Sequence, residues 1–463
     1  MNNDMIIGGK WNILGKDYQG NITFNKENGT IVLSIYYKNN EELIAWMNKP
    51  TEIDIITGKL NQEIKCTLTD CQIVKRHSSP FFKHHIVILA KIMFLNLSKK
   101  KKDLLKFNEV HFHIPNIIKW SKLSEFEYFD DKDYRLKIGY KFKDKVSIKI
   151  NDNTSVEFVP YLGSFNFDMQ VEKLDISQHI EVHIINKKET TFNVFLETFK
   201  MISDMITLAT NSKINVVDIR GINYKKYNAV VDRKNYIKYE IITNLVKHDN
   251  ARNLDAECTN YYLFNLNNIA NKNRLKKWVD SYEKYSSIYN LYNLGINNDV
   301  PDEIRFCNLI QALELLHTKK YKKVKLFFNH IDNKFENNPS IINLVKNNPD
   351  QSGEFIILKN RLIDLFINDF SLTKNKNTVD NIDAITTILS DTRHYYTHYS
   401  EAKKSKSLSG TNLKYGIYIL DYLLSCFILQ NLEFDINEIS ENRELQLNNI
   451  KSNKMIEKII KNQ

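Results

Sequence analysis

The chain has 463 residues, a net charge of +10 and a pI near 9.0, and 42% of its residues are hydrophobic. This length favours two or three domains, and the 25 Phe and 24 Tyr argue against intrinsic disorder. The positive charge fits a phosphate-bearing partner such as RNA, DNA or a membrane surface. A general compositional bias towards Lys, Asn and Ile, the residues that an AT-rich genome favours, explains the charge equally well.

The N-terminal part is predicted to be rich in β-structure. Residues 21–24 and 30–36 look like two strands joined at Asn28-Gly29, a strong turn pair. Short strands are also predicted at 64–68, 86–97, 110–114, 145–150, 155–159 and 180–185. A helix over 194–202 and a strand over 213–220 follow. Many short strands with polar turns favour a sandwich-like or barrel-like sheet.

From about residue 232 the apolar spacing becomes helical. Helices are predicted over 236–246, 273–289, 302–316, 355–366, 379–396 and 413–431, with a break between Gly295 and Pro301. The last four predict a four-helix bundle. The expected fold is therefore α+β and multidomain. It has a β-rich sensor or regulatory domain over 1–295 with a helical C-terminal part, a bundle over 300–440 and a basic tail over 441–463.

The sequence predicts no metal site, disulfide framework, signal peptide or membrane span. The five cysteines are scattered without a C-x-x-C pair, so neither a zinc knuckle nor a disulfide framework is predicted. The first residues lack the order of a signal peptide. The longest apolar stretch near the C-terminus, 417–429, contains Asp421 and falls short of the ~20 residues of a membrane span. We expect a cytoplasmic protein with no membrane partner, no metal and no cofactor.

The segment Arg393-His394-Tyr395-Tyr396-Thr397-His398 carries the residues best suited to chemistry. RNA cleavage needs a base for the ribose 2′-hydroxyl, an acid for the leaving 5′-oxygen and a cation for the charge gained at phosphorus. Histidine suits proton transfer near neutral pH, and arginine binds phosphate bidentately. Arg393 and His398 are separated by about 140° and about 7.5 Å of rise on a helix, which a long arginine can bridge.

Taken alone, this six-residue pattern favours an ordinary helix whose arginine and histidines bond to neighbours. Glu314 is a candidate partner of Arg393 across the bundle, and an exposed Glu314 without that partner is an equally good reading. Asp391 is a weaker candidate partner, and Thr397 a supporting polar residue. His317 is predicted at the surface, and the pair His111 and His113 as one face of a strand without ligand geometry.

The chain resembles the ApeA family of bacterial anti-phage proteins, most closely at a C-terminal HEPN domain spanning about 300–435. The matching segments are Phe306–His317, Arg361-Leu362, Ile388–Tyr399 and Tyr415–Leu432, in the family's order. The N-terminal half resembles the family more loosely, through Gly15, Gly20-Asn21-Ile22 and His111-Phe112.

This resemblance implies a dimeric bundle that brings two copies of Arg393 and His398 into one cleft. It also implies metal-independent endoribonuclease activity in abortive anti-phage defence, with tRNA as the expected substrate and a phage-derived trigger acting on the N-terminal domain. The family has Asn after the arginine, where this chain has His394. An alternative function is a non-catalytic protein that uses the bundle for RNA binding and dimerisation. A DNA-binding regulator is not favoured, because the sequence shows no recognition helix with clustered Arg and Asn.

Overall fold

A computed structural model describes the chain from residue 4 to residue 462 with several gaps. The residues left out are 26–28, 38–45, 48–49, 62, 78–83, 131–135, 166–175, 231–232, 247–261, 297–299, 322–323, 335, 337–338, 347–355, 370–377, 436–437 and 439–442. The chain forms two compact units. The β unit comprises Met1–Ser203, Ile214–Asn260 and Asn265–Lys276, and the helical unit comprises Asp204–Lys213, Tyr261–Phe264 and Lys277–Gln463.

The described part of the β unit contains strands β1 to β14. They are Asp4–Ile13, Lys16–Asn25, Ile31–Tyr37, Glu52–Leu60, Lys65–His77, His84–Leu95, Lys106–Ile114, Ser124–Asp130, Leu136–Phe142, Val146–Lys149, Thr154–Phe165, Ile176–Thr191, Asp218–Val230 and Arg233–Thr243. The strands predicted from apolar alternation all fall within or overlap these elements. The expected β-rich N-terminal domain, followed by a helical C-terminal region, is confirmed.

Six of these strands close into a ring. β1 pairs with β2 and β4, β3 pairs with β2 and β6, and β5 joins β4 to β6, so each strand has two antiparallel neighbours. Alternate residues point into the ring, as in β3, where Ile31, Leu33, Ile35 and Tyr37 are buried. The predicted turn before β3 ends at Gly29, whose φ of +70° lies in the left-handed region that glycine tolerates.

A second set of strands extends from the ring in the order β10-β11-β12-β7-β13-β14-β6. Its two faces differ in chemistry. On β7, Val110, Phe112 and Ile114 are fully buried on one face, and the Phe112 ring stacks on Phe199 with centroids 3.9 Å apart. The opposite face of the same strand carries Glu109, His111 and His113, because side chains alternate along a strand.

The described helices, numbered α1 to α12, are Ile118–Ser121, Phe192–Thr210, Leu266–Ala270, Arg274–Ile296, Asp302–Lys320, Val324–Lys334, Pro339–Lys346, Leu358–Asp369, Thr378–His398, Glu401–Lys404, Gly410–Asn431 and Arg443–Asn462. The four predicted bundle helices correspond to α5, α8, α9 and α11. The predicted basic tail contains α12, which packs on α9 and α11 and buries Ile456 and Ile459.

The predicted helix over 236–246 is wrong, because most of this segment is β14. Strand β14 pairs with β13 through Tyr239 opposite Gly221, and its far end pairs with β6 through Ile241 opposite Phe94. Its apolar positions fit either period over so short a stretch. Edge-to-edge pairing with two existing strands decides between them, since tertiary contacts override weak local propensity.

Helix α11 is the most apolar element of the helical unit. By length and composition Gly410–Asn431 would reach across a membrane, but 72% of its apolar window is buried inside the protein, as in a core helix. It lies close to α5 at Gly416, where an added Cβ would stand 3.2 Å from the Phe306 ring and 2.8 Å from Leu408.

Candidate active site

Helix α9 positions the residues of the Arg393–His398 segment. Its buried face consists of Ile382, Ile385 and Leu389, which are at most 1% exposed. The helix ends at His398 because Tyr399 has a φ of +49°, in the left-handed region. The segment therefore lies on the last, solvent-facing turns of a helix whose earlier turns are anchored in the core.

The chain after α9 is bonded back onto this helix. Thr392 Oγ1 accepts a hydrogen bond from the Leu408 amide at 2.9 Å, and the Tyr396 hydroxyl donates to the Leu408 carbonyl at 2.9 Å. Thr392 is fully buried. The N–H and the C=O of Leu408 are thus bonded to Thr392 and Tyr396, one on each side of Arg393 in the sequence. These two bonds restrict the movement of the last turns of α9.

Arg393, His394 and His398 share the exposed end of α9. The rings of His394 and His398 lie with centroids 4.9 Å apart, and both side chains are exposed. Arg393 Nη2 lies 3.8 Å from Glu314 Oε2 on α5, with the two side chains 35% and 31% exposed. The structure thus brings Glu314 to Arg393, across two helices that are distant in sequence.

The other predicted supporting residues lie close by in different roles. Asp391 pairs with Lys403 at 2.6 Å, so its bonded cation is not Arg393. Thr397 is bonded to the Cys307 thiol, which also lies near Arg393. Burial raises the pKa of this thiol, and the nearby charge of Arg393 and the bond from Thr397 oppose that rise. Cys307, which the sequence did not single out, is therefore a neutral neighbour of the guanidinium at neutral pH.

His317 was predicted at the surface, and that prediction is wrong. The residue is fully buried, and its Nε2 lies 3.1 Å from Asp364 on α8, which also bonds His330 at 3.3 Å. Burial alone would raise the pKa of Asp364, but the two histidines hold it below its ordinary value. His317 follows Leu316 on α5, and both side chains are buried inside the protein.

A second group of titratable side chains lies in the β unit, on the polar face of β7 and β12. His111 stands opposite His183 in the antiparallel register, and the rings stack with centroids 3.4 Å apart and 7° between planes. Ligand atoms of Glu109, His111 and His183 all lie within 4.8 Å of one another. The prediction that His111 and His113 lie on one face of a strand is confirmed, and the structure adds Glu109 and His183 as neighbours of His111 that the sequence did not bring to it.

The missed signal was a repeated alternation. Residues 109, 111 and 113 read Glu-x-His-x-His, and residues 179, 181 and 183 read His-x-Glu-x-His. Each pattern places three titratable groups on one face of a strand. The sequence alone does not state that the two strands are neighbours, so only the pairing of β7 with β12 brings the two patterns together.

The helical unit, with an Arg-x4-His pair at the solvent-facing end of a core helix, defines a HEPN-type domain. Residues 307–438 match the family model described as Apea-like HEPN, and residues 7–278 match the one described as ApeA N-terminal domain 1. The chain therefore belongs to the ApeA family. No curated protein and no solved structure matches it.

Proposed function

We propose that the protein is a metal-independent endoribonuclease that cuts RNA, with tRNA as the expected substrate, in abortive defence against phage. The observation that carries this proposal is the grouping of half-buried Arg393 with exposed His394 and His398 at the end of α9, inside the region that matches Apea-like HEPN. Exposed polar groups on a rigid helix suit catalysis better than stability, because they contribute little to the core.

The chemistry assigns a role to each group. One histidine removes the proton of the ribose 2′-hydroxyl, whose oxygen then attacks the adjacent phosphorus. Another histidine gives its proton to the leaving 5′-oxygen. Arg393 binds the non-bridging oxygens as they gain negative charge. The products are an RNA end with a 2′,3′-cyclic phosphate and an RNA end with a 5′-hydroxyl.

If His398 supplies both the base and the acid, one chain is not enough, because each chain carries a single His398. A homodimer about a two-fold axis presents the same surface patch twice and supplies both sets. We propose that the HEPN domains form this dimer. The β unit would then recognise a phage-derived trigger or hold the nuclease silent.

Glu314, Asp391 and Thr397 support the centre in this proposal without contacting the reacting atoms. Glu314 holds Arg393 in place before RNA arrives. Asp391 joins α9 to α10 through Lys403, and Thr397 bonds Cys307 beside the guanidinium. His394 replaces the family's asparagine, and it can donate a hydrogen bond as the amide would.

The test is to incubate the purified full chain with total tRNA in EDTA, beside an Arg393→Ala/His398→Ala double variant. The expected result is cleavage by the wild type alone, with 2′,3′-cyclic phosphate ends. Equal cleavage by the variant, or a requirement for added Mg²⁺, overturns the proposed centre. RNA retention without any cleavage by the wild type favours the alternative of a non-catalytic RNA-binding module.

Light scattering tests the dimer separately. An active protein of monomeric mass at the assay concentration would show that one chain suffices. Mixing the wild type with an excess of the Arg393→Ala/His398→Ala variant, under conditions that exchange subunits, tests a cleft shared between subunits. Each mixed dimer then keeps only one copy of each residue and should be inactive, so cleavage should fall faster than the fraction of wild-type chains.

A further inference from the structure

We propose that Glu109, His111 and His183 form a binding site for a first-row divalent transition metal, of which Zn²⁺ is the probe, on the polar face of the β unit. These three residues belong to the β unit, whereas the Arg393–His398 segment belongs to the helical unit. The ion would join β7 to β12 through side chains of both strands.

The three donor atoms lie within 4.8 Å of one another. Glu109 Oε1 lies 2.6 Å from His111 Nε2 and 3.4 Å from His183 Nδ1. Ligands about 2.0–2.1 Å from a tetrahedral zinc stand about 3.4 Å from one another. The Glu109–His183 distance already has this value, and the Glu109–His111 contact must open by about 0.8 Å, the difference between the two distances. The stacked rings must also tilt, because a bound metal lies in the plane of each imidazole.

The groups behind these donors resemble the outer shell of a metal site. A ligating histidine usually donates its other N–H to a carboxylate, which fixes the ring. His183 Nε2 donates to Glu181 Oε2 at 3.0 Å, and His111 Nδ1 lies 3.5 Å from the same oxygen. The Tyr224 hydroxyl donates to Glu109 Oε2 at 2.8 Å, which leaves Oε1 for the ion.

Burial argues that these groups have a role beyond stability. The side chains of His111, Glu181 and His183 are 7%, 6% and 9% exposed. Buried charged groups destabilise a fold unless they are well paired. Apolar residues at these positions would therefore stabilise the sheet more than this cluster does. His111 Nδ1 is buried, and Glu181 Oε2, at 3.5 Å, lies at the limit of hydrogen-bond distance from it. A cation would stabilise the two carboxylates, and its bond to His111 Nε2 would set the tautomer that carries the proton on Nδ1.

The donor set selects the kind of ion. Two imidazoles and one carboxylate suit Zn²⁺ and its first-row neighbours. Mg²⁺ and Ca²⁺ prefer oxygen ligands and keep several waters, so neither competes for this set. Three protein ligands also leave a fourth position open to water.

The test uses tag-free full-length protein that has been stripped with a chelator and freed of it. Zn²⁺ is titrated by calorimetry, and Co²⁺ absorption in the visible range reports the coordination geometry. The expected results are one equivalent of tight Zn²⁺ per chain, a higher melting temperature with Zn²⁺, and no competition from excess Mg²⁺. The tight equivalent is lost in Glu109→Gln and in His111→Ala/His183→Ala.

His330→Ala is the matched control, because His330 also pairs with a carboxylate but lies in the helical unit. It should keep the tight equivalent. Absence of tight binding in the wild type, or its persistence in Glu109→Gln, overturns the proposal and leaves a hydrogen-bonded cluster. Should the double variant fail to fold by circular dichroism, Glu109→Gln decides alone, since it preserves shape. None of these readouts involves RNA cleavage, so failure here leaves the proposed nuclease untouched.

Discussion

The contact between Arg393 and Glu314 sets how easily the guanidinium is released to a phosphate, and Glu314→Gln tests this directly. The substitution keeps the shape of the side chain and removes its charge. In the free protein the carboxylate holds Arg393, with 3.8 Å between Nη2 and Oε2. When RNA binds, the arginine must exchange the carboxylate for a phosphate, so the pair opposes binding.

The magnitude follows from the distance and the exposure. Two unit charges 3.8 Å apart attract by about 4 kcal/mol at an effective dielectric of about 20. Both side chains are about one-third exposed, however, and solvated pairs retain only about 0.2–1 kcal/mol. Because 1.4 kcal/mol is a tenfold change in affinity, Glu314→Gln should lower the RNA dissociation constant by about 1.4- to 5-fold.

The assay compares RNA binding and single-turnover cleavage for wild type, Glu314→Gln and the control Asp391→Asn. Asp391 bonds Lys403, so its variant should leave the affinity for RNA unchanged. We expect tighter binding for Glu314→Gln with an unchanged rate of the cleavage step, and a smaller gain at high salt, where exposed charges are screened.

Two results would refute this reasoning. A loss of about 100-fold in the cleavage rate of Glu314→Gln, with folding intact, has the size expected for a general acid or base and would place Glu314 in the chemistry. An equal gain in affinity for Asp391→Asn would show that the effect comes from total charge and not from the pair with Arg393.

Four further predictions concern single side chains. His398→Ala should lower cleavage by about 100-fold or more and change the free energy of unfolding by less than about 0.5 kcal/mol, because the residue is exposed; a folded variant with wild-type activity contradicts this. His394→Asn should keep or raise cleavage at neutral pH, because the amide can donate the same hydrogen bond, whereas a loss as large as that of His398→Ala would place His394 in the chemistry. Tyr399, which is 73% exposed, should stack on a base, so Tyr399→Ala weakens RNA binding by about 1–3 kcal/mol and Tyr399→Phe does not; equal binding by both removes the stacking role. Asp364→Ala should destabilise the helical unit by about 3–5 kcal/mol, measured by urea unfolding, and a loss below about 1 kcal/mol contradicts the buried pair with His317.

The acid sensitivity of Asp364 has a defined sign. Its folded pKa lies below the ordinary value of 3.8, so its contribution to stability is present above that value and is lost as the pH falls through the folded pKa. Asp364→Ala should therefore differ most from wild type above pH 3.8 and approach it at lower pH.

Local patterns in the sequence predicted α9 and placed the Arg393–His398 segment at its end. A long helix such as α9 repeats its apolar positions over several turns, and the segment lies at its end with both residues on one continuous stretch. Both features can be predicted without the tertiary structure, because periodicity and spacing depend only on residues that are near one another in the sequence. The predicted helix over 236–246 failed because a short apolar stretch fits two periods, and pairing with β13 and β6 decided it.

Contacts between residues distant in sequence were decided only by the tertiary structure. Glu314 and Arg393 meet because α5 and α9 belong to one bundle, and His317 is buried because α8 brings Asp364 to it. His111 and His183 become neighbours only through the register of β7 on β12. Side-chain periodicity identifies which face of an element a residue occupies, whereas packing and strand register determine which other face it meets, and the chemistry of a site depends on that second choice.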